Sequence, residues 1–144
     1  METSWVLGFI DLSKAFDTVS HSCLLNKLPS YGINNKELHS FTDYLFSRTQ
    51  SVQFKGVLSD ANPIFSGVPQ GSILGPLLFT IHFNDVHTPL QLTLIITYAD
   101  DTVFTAAKDQ ESIQRHLSDD CHNLSSWFRY NELVLNLKRA KLSV

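Results

Sequence analysis

Two adjacent acids, Asp100 and Asp101, follow Tyr98 and Ala99 at the tip of a predicted β-hairpin. Neighbouring carboxylates repel each other unless a cation holds them together. A third acid, Asp11, ends another β-rich segment near the start of the sequence. Three acids on two strand ends therefore predict a divalent metal site.

The type of ligand narrows the choice of metal. Carboxylate oxygens select hard cations such as Mg²⁺ or Mn²⁺, and Mg²⁺ typically takes one or two carboxylates together with substrate phosphates. Zinc is not expected, because the six histidines include no His-x-x-x-His pair and the two cysteines show no C-x-x-C spacing. For the Asp-Asp pair taken alone, a simple turn remains the alternative, since aspartate is favoured in turns.

The elements that must position these acids follow from the hydrophobic spacing. In the helix that follows Gly71 we expect one buried face, formed by Ile73, Leu74, Leu77, Leu78 and Ile81. The last helix carries a core stripe of Ile113, Leu117, Cys121, Leu124 and Phe128. The whole pattern predicts a strand over 4–12, helices over 20–28 and 35–46, a β-like stretch over 48–58, a turn over 59–63, a helix from 71 to about 86, a hairpin over 92–107, a helix that Asp109 caps, and short strands over 133–137 and 142–144.

This order predicts an α+β fold, with helices against one face of a largely antiparallel sheet. At 144 residues, of which 43% are apolar, the chain can bury its core as one domain. The longest apolar stretch, 73–83, is too short for a membrane span. The free-cysteine pattern and the lack of a secretory segment predict an intracellular protein, in the cytoplasm, the nucleus or both.

Four blocks of sequence resemble one known family. They cover residues 9–17, 66–72, 98–101 and 127–144, and they occur in the family's order. The chain resembles the reverse transcriptases, and most closely the polymerases of non-LTR retrotransposons. The resemblance implies a polymerase palm over residues 1–144, without the fingers and the thumb that flank it in the family.

The resemblance also implies a role for each matching residue. Two Mg²⁺ or Mn²⁺ ions would be held by the catalytic acids, and the substrate would be bound by residues of the first three blocks. The implied catalytic and metal-binding residues are Asp11, Asp100 and Asp101, with Asp11 and Asp100 as the main metal ligands and Asp101 as the third acid of the set. The implied substrate-binding residues are Phe16, Gln70, Gly71 and Tyr98.

Phe16 matches the aromatic ring that the family keeps beneath the nucleotide sugar. A 2′-hydroxyl would clash with that ring, so the match predicts DNA synthesis. A core aromatic beside Ala15 is the alternative. Gln70 would support the incoming nucleotide, with a purely structural strand-to-helix turn as its alternative, and Asp17 is expected to be a polar support or a helix cap.

The fourth block departs from the family pattern. Related chains commonly place a lysine and then a threonine after an Asn-x-x spacer, whereas this chain has Arg139 and Ala140 after Asn136. Lysine is a candidate general acid for the pyrophosphate leaving group, and arginine is too weak an acid for that role. Lys138 could take the place of that lysine only after a shift of register, so the departure is one feature that favours a decayed retroelement copy.

Charge limits how the chain can bind nucleic acid. It carries 11 Lys and Arg against 14 Asp and Glu, a net charge of -3, whereas a protein that grips nucleic acid unaided usually carries a basic stripe. Lys138, Arg139 and Lys141 gather near the end, either beside phosphate or, as we slightly favour, on a solvated strand edge. We expect the segment alone to bind nucleic acid weakly and to be inactive.

These observations together predict the palm of an RNA-directed DNA polymerase that transfers deoxynucleotides to a primer 3′-hydroxyl. Its partners would be an RNA template, a DNA primer, deoxynucleoside triphosphates and the flanking polymerase regions, with no membrane. The alternative is a non-catalytic retroelement remnant, or a co-opted domain of the same fold that binds protein or nucleic acid.

Overall fold

The computed structural model describes residues 4–91, 93–98, 101–108, 110–136, 138–139 and 141–143. In chain order its elements are β1 (Ser4–Ile10), α1 (His21–Lys27), a 3₁₀ helix (Leu28–Tyr31), α2 (Asn35–Phe46), β2 (Thr49–Gln50), β3 (Gln53–Phe54), β4 (Val57–Leu58), β5 (Asn62–Pro63), α3 (Leu74–Phe83), β6 (Leu94–Tyr98), β7 (Asp101–Lys108), α4 (Gln110–Tyr130) and β8 (Lys141–Ser143).

One antiparallel sheet has the strand order β6-β7-β1-β8. The pairing of β1 with β7 runs to Ile10, which lies opposite Thr102. Strands β6 and β7 form a hairpin in which Tyr98 pairs with Asp101. This register brings the end of β1 next to the tip of the hairpin.

Aromatic side chains from α3 and α4 form the centre of the core. The ring centroids of Phe83 and Trp127 are 5.5 Å apart, and those of Trp127 and Phe128 are 5.3 Å apart. Ile10 and Ile95 of the sheet pack against this core. Since their strand neighbours, such as Phe9, are exposed, the helices cover one face of the sheet, and the predicted α+β architecture is confirmed.

A buried carboxylate on α4 fixes the start of β6. Asp120 is 3% exposed and accepts hydrogen bonds of 3.0 Å from the backbone N–H groups of Gln91 and Thr93. The Thr93 hydroxyl donates a further bond of 2.6 Å to it. Such bonds stabilise a buried charge, so this contact helps to place the hairpin that carries Asp101.

The predicted β-like stretch over 48–58 is wrong in detail. The chain reverses between β3 and β4 at Lys55 and Gly56, whose φ angles of +49° and +80° suit a two-residue hairpin turn. The segment 59–63, predicted as a turn, also contains a strand, since Asn62 pairs with Gln50. Two very short hairpins therefore replace one strand and a turn.

The predicted buried faces are partly wrong. Ile73 precedes the first residue of α3 and is 96% exposed, and Leu77 is 52% exposed, whereas Leu78 and Ile81 are buried. On α4, Cys121 is exposed and the residue before it, Asp120, takes the buried position.

The remaining boundaries agree more closely with the pattern. The fourth block contributes β8 and an isolated bridge between Leu12 and Leu135 rather than two regular strands. Asp109 and the side chain of Ile113 lie outside the described residues.

No helix in the described ranges combines the length and the apolar character that crossing a membrane requires.

His82 is a buried base between α3 and α4. It has no exposed surface, and its Nε2–H donates to the carbonyl of Asn131 over 3.3 Å. Burial, and then the charge of Lys27, lower the pKa of His82 from 6.5 to about 4. The folded state therefore holds this imidazole neutral at pH values where the unfolded chain protonates it.

We predict that His82 makes the protein acid-labile. Between pH 6.5 and pH 4 the unfolded chain binds the extra proton, so stability falls with falling pH, by about 3 kcal/mol in total for one such group. Urea unfolding measured across this range should show a shallower pH dependence for His82→Leu. The control is His39→Gln, since the His39 side chain is 77% exposed; an equally steep dependence in His82→Leu would contradict the assignment.

Candidate active site

Asp11 and Asp101 line one open cleft. The β1–β7 pairing ends with Ile10 opposite Thr102, and Asp11 and Asp101 are the next residues beyond that end of the pairing. The cleft has a volume of about 700 Å³, and its lining comprises Phe9, Ile10, Asp11, Asp101, Thr102, Val103, Lys138 and Arg139. The structure thus brings two of the three predicted acids together.

The cleft lies on the face of the sheet that the helices leave open. Side chains alternate between the two faces of a strand. Thr102 is 1% exposed and points to the helices, whereas Asp101 is exposed. Phe9, two residues before Asp11, is 43% exposed on the same open face. Asp101 is therefore open to a large charged substrate, whereas the Asp11 side chain is 18% exposed.

The segment after α4 runs alongside the end of β1. The backbone N–H of Ser13 donates to the carbonyl of Val134 over 2.8 Å, and the backbone N–H of Asn136 donates to the carbonyl of Asp11 over 2.9 Å. The Asn136 side chain also donates from Nδ2 to Oδ2 of Asp11 over 2.8 Å. Asn136 is a site residue that the sequence analysis noted only as a spacer.

Two cationic side chains of this segment line the cleft. Asn136 lies beside Asp11, and Lys141 pairs with Phe9. Lys138 and Arg139 lie between these two pairings, where the backbone N–H of Arg139 donates to the carbonyl of Asn136 over 3.0 Å. Arg139 Nη1 comes within 3.8 Å of Asp11 Oδ2, although the arginine side chain is 75% exposed. Lys138 and Arg139 are solvated, as expected, but they also line the acidic cleft.

A second cluster joins the first two sequence blocks. The backbone N–H groups of Val68 and Gly67 donate to the carbonyls of Phe16 and Val19, each over 2.8 Å. Gln70 donates from Nε2 to Oδ1 of Asp17 over 2.9 Å. Asp17 thus supports Gln70, in agreement with its predicted role as a polar support.

Gly67 allows the close approach of these two turns. Its φ angle is +84°, and a Cβ atom added there would lie 2.7 Å from the carbonyl oxygen of Asp17. Buried His21 donates from Nε2 to the Gly67 carbonyl over 2.8 Å. No spacing signal in the sequence marks His21, because the contact joins residues 46 positions apart.

The predicted substrate-binding residues occupy different places. Phe16 is half-buried and stacks on Phe79 with 4.5 Å between ring centroids. Gln70 and Gly71 are exposed, and Gly71 has a φ angle of +78°. Tyr98 is 83% exposed beside Asp101. Phe16, Gln70 and Gly71 belong to the joined turns and not to the lining of the acidic cleft.

The donor set of the cleft fits a hard divalent cation. Asp11 and Asp101 offer carboxylate oxygens, which suit Mg²⁺ or Mn²⁺. Among the described residues, no group of three or more His, Cys, Asp or Glu side chains is placed to hold a metal ion. Asp100, the predicted third acid, lies outside the described residues.

Comparison with known proteins gives matches to one family of polymerases. A family model described as reverse transcriptase (RNA-dependent DNA polymerase) matches residues 1–144. The RNA-directed DNA polymerase from mobile element jockey of Drosophila melanogaster is 40% identical over 141 residues. The probable RNA-directed DNA polymerase from transposon X-element, from the same organism, is 28% identical over 143 residues. Each match covers 92% of this chain but only 15% of the relative.

Solved structures share the fold at low identity. The structure of apo telomerase from Candida tropicalis matches with a TM-score of 0.76 and 11% identity, over 99% of this chain and 29% of that one. Telomerase from Candida albicans, in complex with a TWJ fragment of telomeric RNA, matches with a TM-score of 0.71 and 14% identity, over 98% of this chain and 27% of that one. At this identity the likeness is one of fold.

We predict that Gly67→Ala destabilises the protein more than Gly56→Ala. Both glycines have φ angles near +80°, but a Cβ atom at Gly56 has nothing within 4 Å. Both variants incur the cost of about 1 kcal/mol for a left-handed alanine, and only Gly67→Ala adds the clash with Asp17, worth about 1–3 kcal/mol. Chemical unfolding measures the difference, and equal losses would show that the two turns are not tightly joined.

Proposed function

The chain belongs to the reverse transcriptase family, and from this premise we propose that it is the palm of an RNA-directed DNA polymerase of the non-LTR retrotransposon type. The observation that carries the proposal is the position of Asp11 and Asp101 in one cleft on the open face of the sheet. Two carboxylates match the charge of a divalent cation, which would in turn bind the phosphates of a substrate.

The proposed reaction is the transfer of a deoxynucleotide to a primer 3′-hydroxyl. Bound Mg²⁺ or Mn²⁺ ions, two in the proposed mechanism, would supply activation of the attacking oxygen and stabilisation of the leaving one. Asp11 and Asp101 would hold these ions, together with Asp100 of the same hairpin. Lys138 and Arg139 line the same cleft, where their charge would favour binding of the triphosphate.

Phe16 is proposed to select the sugar. Its ring stacks on Phe79 of α3, and its carbonyl accepts a hydrogen bond from Val68. Both contacts restrict movement of the ring. A rigid ring can exclude a 2′-hydroxyl by steric conflict, which is discrimination against the wrong substrate. The Gln70 amide, supported by Asp17, would contact the incoming nucleotide.

The proposed partners are an RNA template, a DNA primer and deoxynucleoside triphosphates. A net charge of -3 does not favour binding of a nucleic acid backbone. We propose that the regions that flank the match in the relatives provide most of the contacts with the nucleic acid backbone. We also propose that the protein acts inside the cell. The activity tests below therefore use a polymerase that contains this chain together with those regions.

We predict that Asp11→Asn or Asp101→Asn abolishes most primer extension on an RNA template. Loss of a metal-holding charge costs several kcal/mol of transition-state stabilisation, or about 10²-fold or more in rate. The matched control is Asp60→Asn, because Asp60 is exposed and lies between β4 and β5.

The same experiment separates the polymerase from a non-catalytic remnant. Extension by the parent protein and by Asp60→Asn, but not by the two cleft variants, supports the polymerase. A parent protein that is folded yet extends no primer would favour the remnant, and full activity of Asp11→Asn would refute the metal role.

We predict that Phe16→Val admits ribonucleotides. Removal of the ring should raise kcat/KM for ribonucleotides relative to deoxynucleotides by about 10-fold or more, since a steric contact of this kind is worth about 1–3 kcal/mol. Phe54→Val is the control, because Phe54 is 70% exposed in the β3–β4 hairpin. An unchanged ratio in Phe16→Val would mean that Phe16 serves only to pack on Phe79.

A further inference from the structure

We propose that Asn136 is a positioning residue that holds the carboxylate of Asp11 in the orientation that binds metal. The inference rests on the proposed function, in which Asp11 holds a divalent cation. It concerns a residue outside the three acids, on a segment separated from Asp11 by 125 positions in the sequence.

The backbone fixes Asn136 beside Asp11. Its N–H donates to the Asp11 carbonyl over 2.9 Å, and the neighbouring residues form the Leu12–Leu135 bridge and the hydrogen bond from Ser13 to Val134. Three consecutive contacts leave the Asn136 Cα little freedom to move. The short side chain then reaches Asp11 Oδ2 with a hydrogen bond of 2.8 Å.

Arg139 cannot fix the orientation of the Asp11 carboxylate. It approaches the same Oδ2 atom at 3.8 Å, and its side chain is 75% exposed. That separation is longer than a good N–H···O hydrogen bond, and a long solvated side chain is free to leave. Arg139 can screen the charge of Asp11, whereas Asn136, among the described residues, fixes the direction of the carboxylate.

A neutral donor suits this task. A carboxylate has two oxygens that can accept, and within the described residues both side-chain partners of Asp11 contact Oδ2. Oδ1 therefore remains available to an ion. The amide leaves the full negative charge of Asp11 in place, whereas a cation fixed at the same distance would compete with Mg²⁺ for it. Residues that orient a metal ligand typically change metal affinity or activity by about 10- to 100-fold when mutated.

The test compares Asn136→Leu with the parent polymerase. Leucine keeps the size of asparagine but has no donor. Mn²⁺ binding would be measured by electron paramagnetic resonance in a complex with an RNA template, a dideoxy-terminated primer and a deoxynucleotide, so that no reaction occurs. We expect Mn²⁺ affinity to fall by about 10- to 100-fold. Single-turnover extension should need a correspondingly higher Mg²⁺ concentration for half-maximal rate.

A matched control separates this effect from general damage. Asn84→Ala removes a side-chain hydrogen bond of similar length, 2.9 Å to the Tyr31 hydroxyl, at a position outside the lining of the cleft. It should leave Mn²⁺ affinity unchanged. Thermal unfolding of each variant checks that the measured protein is folded, and Asn136→Ala, which also lacks a side-chain donor, takes the place of Asn136→Leu if the leucine variant does not fold.

The outcomes distinguish the two proposals. If Asp11→Asn weakens Mn²⁺ binding but a folded Asn136 variant binds Mn²⁺ as tightly as the parent does, the positioning role is refuted and the metal site stands. If Asp11→Asn also leaves Mn²⁺ binding unchanged, the metal site itself fails. Weaker Mn²⁺ binding in both, with the Asn84→Ala control unaffected, supports the positioning role.

Discussion

The pairing of strand β1 on both of its sides is the constraint on which the arrangement of this chain depends. It places Asp11 and Asp101 in the lining of one cleft, where like charges favour a bound cation. Strand β1 holds its end there because it is paired on both sides, with β7 on one side and with the segment after α4 on the other. Asn136 and Arg139 both contact Oδ2 of Asp11 from the segment after α4. In the proposed mechanism, a divalent cation would join the two acids across the cleft.

A second constraint is the close contact between two turns, the one after β1 and the one before α3. Gly67 lets the turn before α3 approach the backbone of Asp17, and His21 caps the Gly67 carbonyl from the buried side. Phe16 and Gln70 lie on this joined unit, and the stacking of Phe16 on Phe79 ties it to the aromatic core. The acids and the proposed nucleotide-binding residues thus belong to separate structural units that share one core. A substitution that destabilises the joined turns should therefore impair nucleotide selection more than it displaces Asp11 and Asp101.

The sequence predicted those features that depend on local periodicity. The bounds of α2, 35–46, agree with the structure because Leu38, Phe41 and Leu45 recur at helical spacing, and the β6–β7 hairpin follows from two apolar runs around a turn. Periodicity shows which side chains share a face but not what covers that face, so Ile73 and Leu77 were wrongly expected to be buried. The contact of Asn136 with Asp11 depends on the register between two distant segments. No pattern within either segment encodes that register.

The most direct test of the account is the position of Mn²⁺ in crystals of a polymerase that contains this chain, grown with an RNA template, a dideoxy-terminated primer and a deoxynucleotide. Anomalous scattering distinguishes Mn²⁺ from water and from lighter ions. The account predicts Mn²⁺ bound by carboxylate oxygens of both Asp11 and Asp101 and in contact with the triphosphate. Mn²⁺ bound elsewhere, or a nucleotide seated away from these two acids, would contradict it.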